Sequence, residues 1–344
     1  MFLRQPITSN KIHRRPRVSR WHRTLYALAV LVGLSSPLSA SNGQASEPRS
    51  NHDESLIEQA GMLTVADRGQ PYVLIAPTSG DRLPIVLFSH GAYSSKDLYL
   101  DILRPWAEAG FVVIAPTHAD SVSLGTVRGG QNPMFYSWRV ADMRAIIDQL
   151  PRLLTDAQLM GRADPTRIAA TGHSFGGWVA QTLAGATSND PTGGNVAIKE
   201  PRIKMAILHS AAGVMPGLLT EDNFNAMKVP VLVTVGTDDL AQMPGRSGYE
   251  WRRQPFDLLG SRERWLLVQE GADHYLGGRV GRDDLPRSPH AEDYLQDFLW
   301  LSTLALRAWL AEDRDAQQTL DALRRDPSSA SLRRGRLERS SNTD

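Results

Sequence analysis

Apolar residues along this chain fall into two spacings. Short, continuous apolar runs lie at residues 72–76 (YVLIA), 84–88 (PIVLF), 111–115 (FVVIA), 167–171 (RIAAT), 204–208 (KMAIL), 231–235 (VLVTV) and 265–268 (WLLV). Runs of that length, bounded by turn residues, predict strands buried on both faces. Between them lie stretches with helical periodicity. Residues 96–109 are apolar at Leu98, Leu100, Ile102, Leu103 and Trp106 and stop at Gly110; further helices are expected at 137–154, 175–184 and 290–310. Strands alternating with helices predict an α/β fold, with a mostly parallel central sheet covered by helices on both faces. One domain over residues 46–312 accommodates the whole series, with no internal repeat. Two connections, 187–202 and 212–229, are longer than usual and are candidates for a substrate-gating lid. In 313–344 the last helix ends, and beyond Arg325 a Ser-, Arg- and Asp-rich tail without apolar period is expected to be disordered.

The N-terminus breaks the alternation. A basic stretch ends at Arg23, an apolar run follows at 25–34 (LYALAVLVGL), and small residues lead to Ala40 and Ala45. That is the layout of a signal peptide. It predicts a leader over 1–45 and an exported protein, periplasmic or secreted, with no membrane span once mature. The run is short against the roughly 20 residues of a span, so an uncleaved N-terminal anchor is the alternative. Removing the leader changes the charge picture. Residues 1–40 hold seven of the 38 basic side chains and none of the 37 acidic ones, so a formal net charge of +1 becomes −6. A body of that balance has no electrostatic footprint for nucleic acid. The absence of cysteine excludes disulfides, a thiol nucleophile and thiolate-built zinc sites.

Within the alternation lies Gly172-His173-Ser174-Phe175-Gly176, with Gly177 next. This G-x-S-x-G pattern follows an apolar strand and opens a helix, the setting of a serine lifted out of a sheet on a sharp turn. Ser174 is therefore the predicted nucleophile; the bland reading is a helix cap. A serine hydroxyl needs a base. Among nine histidines, His274 follows the last predicted strand in a glycine-flanked loop, EGADHYLGG, at the sheet edge where α/β sites form. The orienting acid is expected off the strand 231–235, in Gly236-Thr237-Asp238-Asp239: Asp239, with Asp238 as alternative. The order Ser174, Asp239, His274 is that of α/β-hydrolases. Oxyanion donors are expected from the backbone N–H of Phe175 and from Ala92, in Ser89-His90-Gly91-Ala92. His90 reads as a brace for that loop. Tyr93, Trp178 and Tyr275 are candidate substrate-binding walls, and Met134, Phe135, Tyr136 and Trp138 a candidate roof. His118 and Asp120 are two metal-type ligands without a third, so neither metal nor cofactor is expected.

The stretches LPIVLFSHGAYSS, GFVVIAPTHADS, RVADMRAIIDQL, RIAATGHSFGGW and VQEGADHYLG resemble the dienelactone-hydrolase-like and platelet-activating-factor-acetylhydrolase-like branch of α/β-hydrolases, over residues 70–310. The resemblance implies a single-domain serine esterase acting on small or short-acyl esters, with Ser174 as nucleophile, His274 as base and Ala92 and Phe175 as oxyanion donors. Two departures limit it. Dienelactone hydrolases proper use a cysteine nucleophile, and this chain has none. In the acetylhydrolases the acid follows an earlier strand, whereas here KMAILHSAAGVMP carries no aspartate, which leaves Asp239 or Asp238. The alternatives are a lipase- or cutinase-like hydrolase of long-chain or polymeric esters, and a non-catalytic binding protein on the same scaffold.

Overall fold

Two ten-residue strands, β1 (Leu56–Val65) and β2 (Arg68–Pro77), pair as an antiparallel hairpin. The computed structural model describes residues 56–130, 132–186, 188–189, 195–196, 199–240 and 248–339. After the hairpin, strands and helices alternate: β3 (Leu83–Ser89), α1 (Leu100–Glu108), β4 (Val112–Pro116), α2 (Phe135–Asp148), α3 (Leu150–Asp156), β5 (Ala163–His173) and α4 (Phe175–Leu183). A short ribbon of β6 (Ser188–Asn189) and β7 (Asn195–Val196) comes next. The series closes with β8 (Ile203–His209), α5 (Glu221–Asn225), β9 (Val231–Gly236), α6 (Tyr249–Leu258), β10 (Arg264–Gln269), α7 (Ala291–Ala305), α8 (Arg314–Arg325) and β11 (Gly335–Arg339).

The ribbon apart, all strands join one nine-stranded sheet in the order β1-β2-β4-β3-β5-β8-β9-β10-β11. Strands β4 through β10 in that order run parallel, flanked by antiparallel β2 on one side and β11 on the other. Strand β3 shows why the runs read as continuous. All seven of its residues are buried. Ile85 and Leu87 enter a core shared with α2, α4 and α6, while Val86 and Phe88 enter a second core under α1, α7 and α8. Alternation persists, but both faces are apolar.

Several expectations change. The helix expected over 137–154 is two helices, broken at Gln149. Pro151 has no N–H to donate to a continuing helix and sits instead in the first turn of α3. The tail expected to be disordered contributes β11, which extends the sheet beyond residue 312. Only Leu337 in its GRLER sequence is apolar and buried; charged neighbours are ordinary on an edge strand. Its lead-in is held by Asp297, buried on α7, whose two carboxylate oxygens accept the Arg333 and Arg334 N–H groups at 2.8 Å each. Charge-assisted bonds of this kind contribute about 1.5–3 kcal/mol apiece. Asp297→Ala removes both and is therefore expected to lower the unfolding free energy by roughly 3–6 kcal/mol, measured by urea denaturation. The predicted leader, 1–45, lies outside the described residues. Among the described residues no helix is long and apolar enough to cross a membrane.

Candidate active site

The predicted nucleophile, base, acid and oxyanion donors lie at the carboxyl ends of β3, β5, β9 and β10. At the end of β5 the chain turns sharply into α4 at Ser174, whose φ of 55° and ψ of −114° lie where residues other than glycine are strained. The turn closes because its neighbours lack side chains. A Cβ on Gly176 would fall 1.9 Å from the Ser89 carbonyl oxygen, and one on Gly172 2.4 Å from the Gly176 carbonyl. The Ser174 N–H donates to the His209 carbonyl at 2.9 Å, which ties the turn to β8.

Asp239 follows β9 and is fully buried, whereas Asp238 is exposed. The Asp239 carboxylate accepts from His274 Nδ1 at 3.0 and 2.9 Å through its two oxygens. The pair meets because Gly236 lets the β9 and β10 loops touch: a Cβ there would lie 2.0 Å from the Ala272 carbonyl oxygen. Burial pushes the Asp239 pKa up, but the His274 hydrogen bond and the nearby charges outweigh it and leave the carboxyl at about 2. Burial is the largest influence on His274 too. It lowers the imidazole pKa below the ordinary 6.5, with Asp239 pulling in the opposite direction. A carboxylate can only accept, so Nδ1 carries the proton and Nε2 is the free base.

Ser174 and His274 open on one cavity of about 570 Å³. Ala92, Phe175, Tyr93, Trp178 and Tyr275 line it. Of the predicted roof only Phe135 reaches the cavity. Tyr136 is instead buried in the core, stacked on Trp178 with ring centroids 4.1 Å apart. Trp138 lies under the Arg68 guanidinium. Of the two candidate lids, 212–229 supplies Ala212 and Met215 to the wall; 187–202 is only partly within the described residues.

Three contributors escaped the sequence reading. His173, the variable residue of the serine motif, accepts at Nδ1 from the Tyr99 hydroxyl at 2.7 Å and donates from Nε2 to the His274 carbonyl at 2.7 Å. Tyr99 accepts the Gly91 N–H at 3.0 Å. One hydrogen-bonded chain thus joins the loops after β3, β5 and β10. Arg252, on α6, is buried with Nε 3.5 Å from Asp239 and bonds the Ser210 carbonyl at 2.8 Å. A motif fixes glycines and a serine but leaves its variable positions open. An arginine inside a polar helix such as α6 carries no local sign of burial. Neither His118 nor Asp120 is poised for a metal. His118 Nδ1 donates to Asp142 at 2.9 Å, and Asp120 pairs with Arg139 at 2.7 Å. Among the described residues no group of three metal-type ligands forms.

Sheet order, serine turn and the placement of the three residues at strand ends define an α/β-hydrolase. The chlorophyllase family model matches residues 49–235, more than half of the chain, and the protein belongs to that family. It is an enzyme of the carboxylic ester hydrolase type. The matched span includes Ser174 and Ala92, ends just before Asp239 and does not reach His274. Among solved structures the chain is similar to a dienelactone hydrolase from Anabaena variabilis, at 18% identity and a TM-score of 0.53, over 74% of this chain and 99% of that one. It also resembles a putative dienelactone hydrolase from Klebsiella pneumoniae, at 20% identity and a TM-score of 0.49, over 74% and 98% of the two chains. A cold-adapted esterase from an Arctic intertidal metagenomic library matches at 18% identity and a TM-score of 0.48, over 79% and 100%. At these identities the first likeness bears on the fold alone, and the other two add no argument. No curated protein matches the chain.

Proposed function

We propose that the protein hydrolyses carboxylic esters through a serine acyl-enzyme, with Ser174, His274 and Asp239 as its triad. The observation that carries this reading is the buried Asp239–His274 pair opening on the same cavity as a serine held at a φ of 55°. Ser174 Oγ attacks the ester carbonyl while His274 Nε2 takes its proton. The Ala92 and Phe175 N–H groups receive the oxyanion, and His274 then protonates the departing alcohol. Water repeats the cycle on the acyl-enzyme and releases the acid. Asp239 fixes the imidazole tautomer and stabilises its charged form. Tyr93, Trp178 and Tyr275 form the substrate walls. The apolar run at 25–34 supports export of the mature enzyme.

Small or short-acyl esters are the first reading of substrate. Chlorophyll, from which the family takes its name, represents the second: a bulky ester with a long apolar alcohol. Exposed Val127 favours it, since it precedes Arg128 and Gly129 of the cavity wall in the chain. The test is hydrolysis of p-nitrophenyl esters from acetate to palmitate, beside chlorophyll in detergent. Best turnover on acetate or butyrate supports the short-acyl reading, and best turnover on palmitate or chlorophyll the bulky one. Inactivity on every ester overturns ester hydrolysis.

The pH profile follows from His274, which must be neutral to accept a proton. Its pKa is depressed, so kcat/KM is expected to rise through an acid limb whose midpoint lies below 6.5. The Arg252 guanidinium contributes to that depression. Removing it with Arg252→Met favours the imidazolium, and the acid limb should move to higher pH. A profile shifted to lower pH would contradict the assignment.

A further inference from the structure

We infer that Arg139 is a positioning residue that aims the Ala92 N–H at the oxyanion, an inference that rests on the ester-hydrolase reading. In a planar trans peptide the C=O of one residue and the N–H of the next point in opposite directions. The direction of the Ala92 N–H is therefore set by whatever holds the Gly91 carbonyl. Three donors converge on that oxygen: Arg139 Nη2 at 3.0 Å, His90 Nδ1 at 2.7 Å and the Ser94 N–H at 3.2 Å. The His90 tautomer is fixed as well, because its Nε2 accepts the His118 N–H at 2.9 Å and Nδ1 must then carry the proton.

The flanking peptides are held in the same way. The His90 carbonyl accepts from Arg139 Nη1. The Gly91 N–H goes to Tyr99, and the Tyr93 N–H to Asp120 Oδ2 at 3.1 Å. Asp120 grips Arg139 with both oxygens, at 2.8 Å to Nε and 2.7 Å to Nη2. The Ala92 N–H, in the middle of this set, is left for the cavity that Ala92 lines. The same guanidinium lies 4.5 Å from the centre of the Phe175 ring, so one side chain bonds the carbonyl of the Gly91–Ala92 peptide and lies over the ring of the residue that supplies the other expected donor.

Stability alone is a poor account of this pair. Arg139 and Asp120 are each 1% exposed. Burying two charges costs much of what their attraction returns, and well-packed apolar residues often do as well. What apolar residues cannot do is hold two consecutive carbonyls in fixed directions. A planar five-donor fork bound to a carboxylate can, and lysine, a single point of charge, cannot.

The experiment is Arg139→Lys, which keeps the charge opposite Asp120. It is compared with wild type on the best p-nitrophenyl ester and with an aryl trifluoromethyl ketone, whose serine adduct carries an oxyanion. The expected result is a fall in kcat of about 10²-fold or more, the size of losing one oxyanion donor. KM should stay within about threefold, and ketone affinity should fall in parallel with kcat/KM. Arg68→Gln is the stability control. It breaks the Arg68–Asp142 ion pair at 2.8 Å, which makes no bond to residues 90–93, and should lower the melting temperature at unchanged kcat. A folded Arg139→Lys enzyme with wild-type kcat, or one whose ketone affinity is unchanged, overturns the inference. Should Arg139→Lys fail to fold, Asp120→Asn gives the same two outcomes. A wild-type enzyme inactive on all esters overturns the proposed function instead, which keeps the two failures apart.

Discussion

Ser174→Ala is expected to lower kcat on p-nitrophenyl esters by about 10⁴–10⁶-fold while KM changes little. The hydroxyl forms the covalent bond, and the wall's other serine is no substitute: the Ser94 hydroxyl donates to the Gly281 carbonyl at 2.9 Å, and the chain has no cysteine. A residual rate above water should survive, because the oxyanion donors remain. Stability separates this effect from a folding defect. Alanine keeps a Cβ and so keeps the strain of a φ of 55°, whereas glycine does not. Ser174→Gly should thus be as inactive as Ser174→Ala yet resist urea better, by about 1 kcal/mol or more. Burst kinetics and urea curves on the three proteins check both halves. An alanine variant retaining a tenth of wild-type kcat would remove Ser174 from the mechanism, and equal stability of the two variants would remove the strain.

The parts of this fold that depend on local pattern were legible in the sequence. Strands such as VLVTV and PIVLF are buried on both faces and announce themselves by continuous apolar residues. The serine turn was legible because its glycines are demanded by contacts under 2.5 Å. Strand β1 was not, since its LIEQAGMLTV alternates weakly and its turn, Ala66-Asp67, lacks the Asn and Gly of common tight hairpins. Strand β11 is defined by its partners, Asp297 and β10, and hardly by its own residues. The site divides along the same line. Ser174, His274 and Asp239 sit at strand ends, where position and residue type together point to chemistry. Arg139, Arg252 and Tyr99 act from helices or at a helix start. Their importance lies in what they touch across the fold, and spacing along the chain does not encode it. His118 and Asp120, two positions apart in sequence, show how little spacing says about partners: His118 is held by Asp142 and Asp120 by Arg139.

Asp239→Asn is expected to cost about 10⁴-fold in kcat, and Asp238→Asn less than about threefold. Both residues turn off β9, and sequence alone left either open as the acid. The carboxylate of Asp239 accepts the His274 Nδ1 proton through both oxygens, at 3.0 and 2.9 Å, and is wholly buried. An amide in its place brings an NH₂ group against Nδ1–H. The imidazole then lowers its energy by moving its proton to Nε2 so that Nδ1 can accept. In that tautomer Nε2 has no lone pair for the Ser174 proton, and the nucleophile stays a hydroxyl. Arg252, 3.5 Å from the same carboxylate, also loses its opposing charge, so Asp239→Asn should be less stable in urea as well as inactive. Asp238 is exposed, and its substitution removes one charge from a solvated turn. Steady-state kinetics on both variants decides the matter. A large loss confined to Asp238→Asn would mean that the β9 loop turns the other carboxylate inward during turnover, and the buried Asp239–His274 pair would then be a structural tie between two loops.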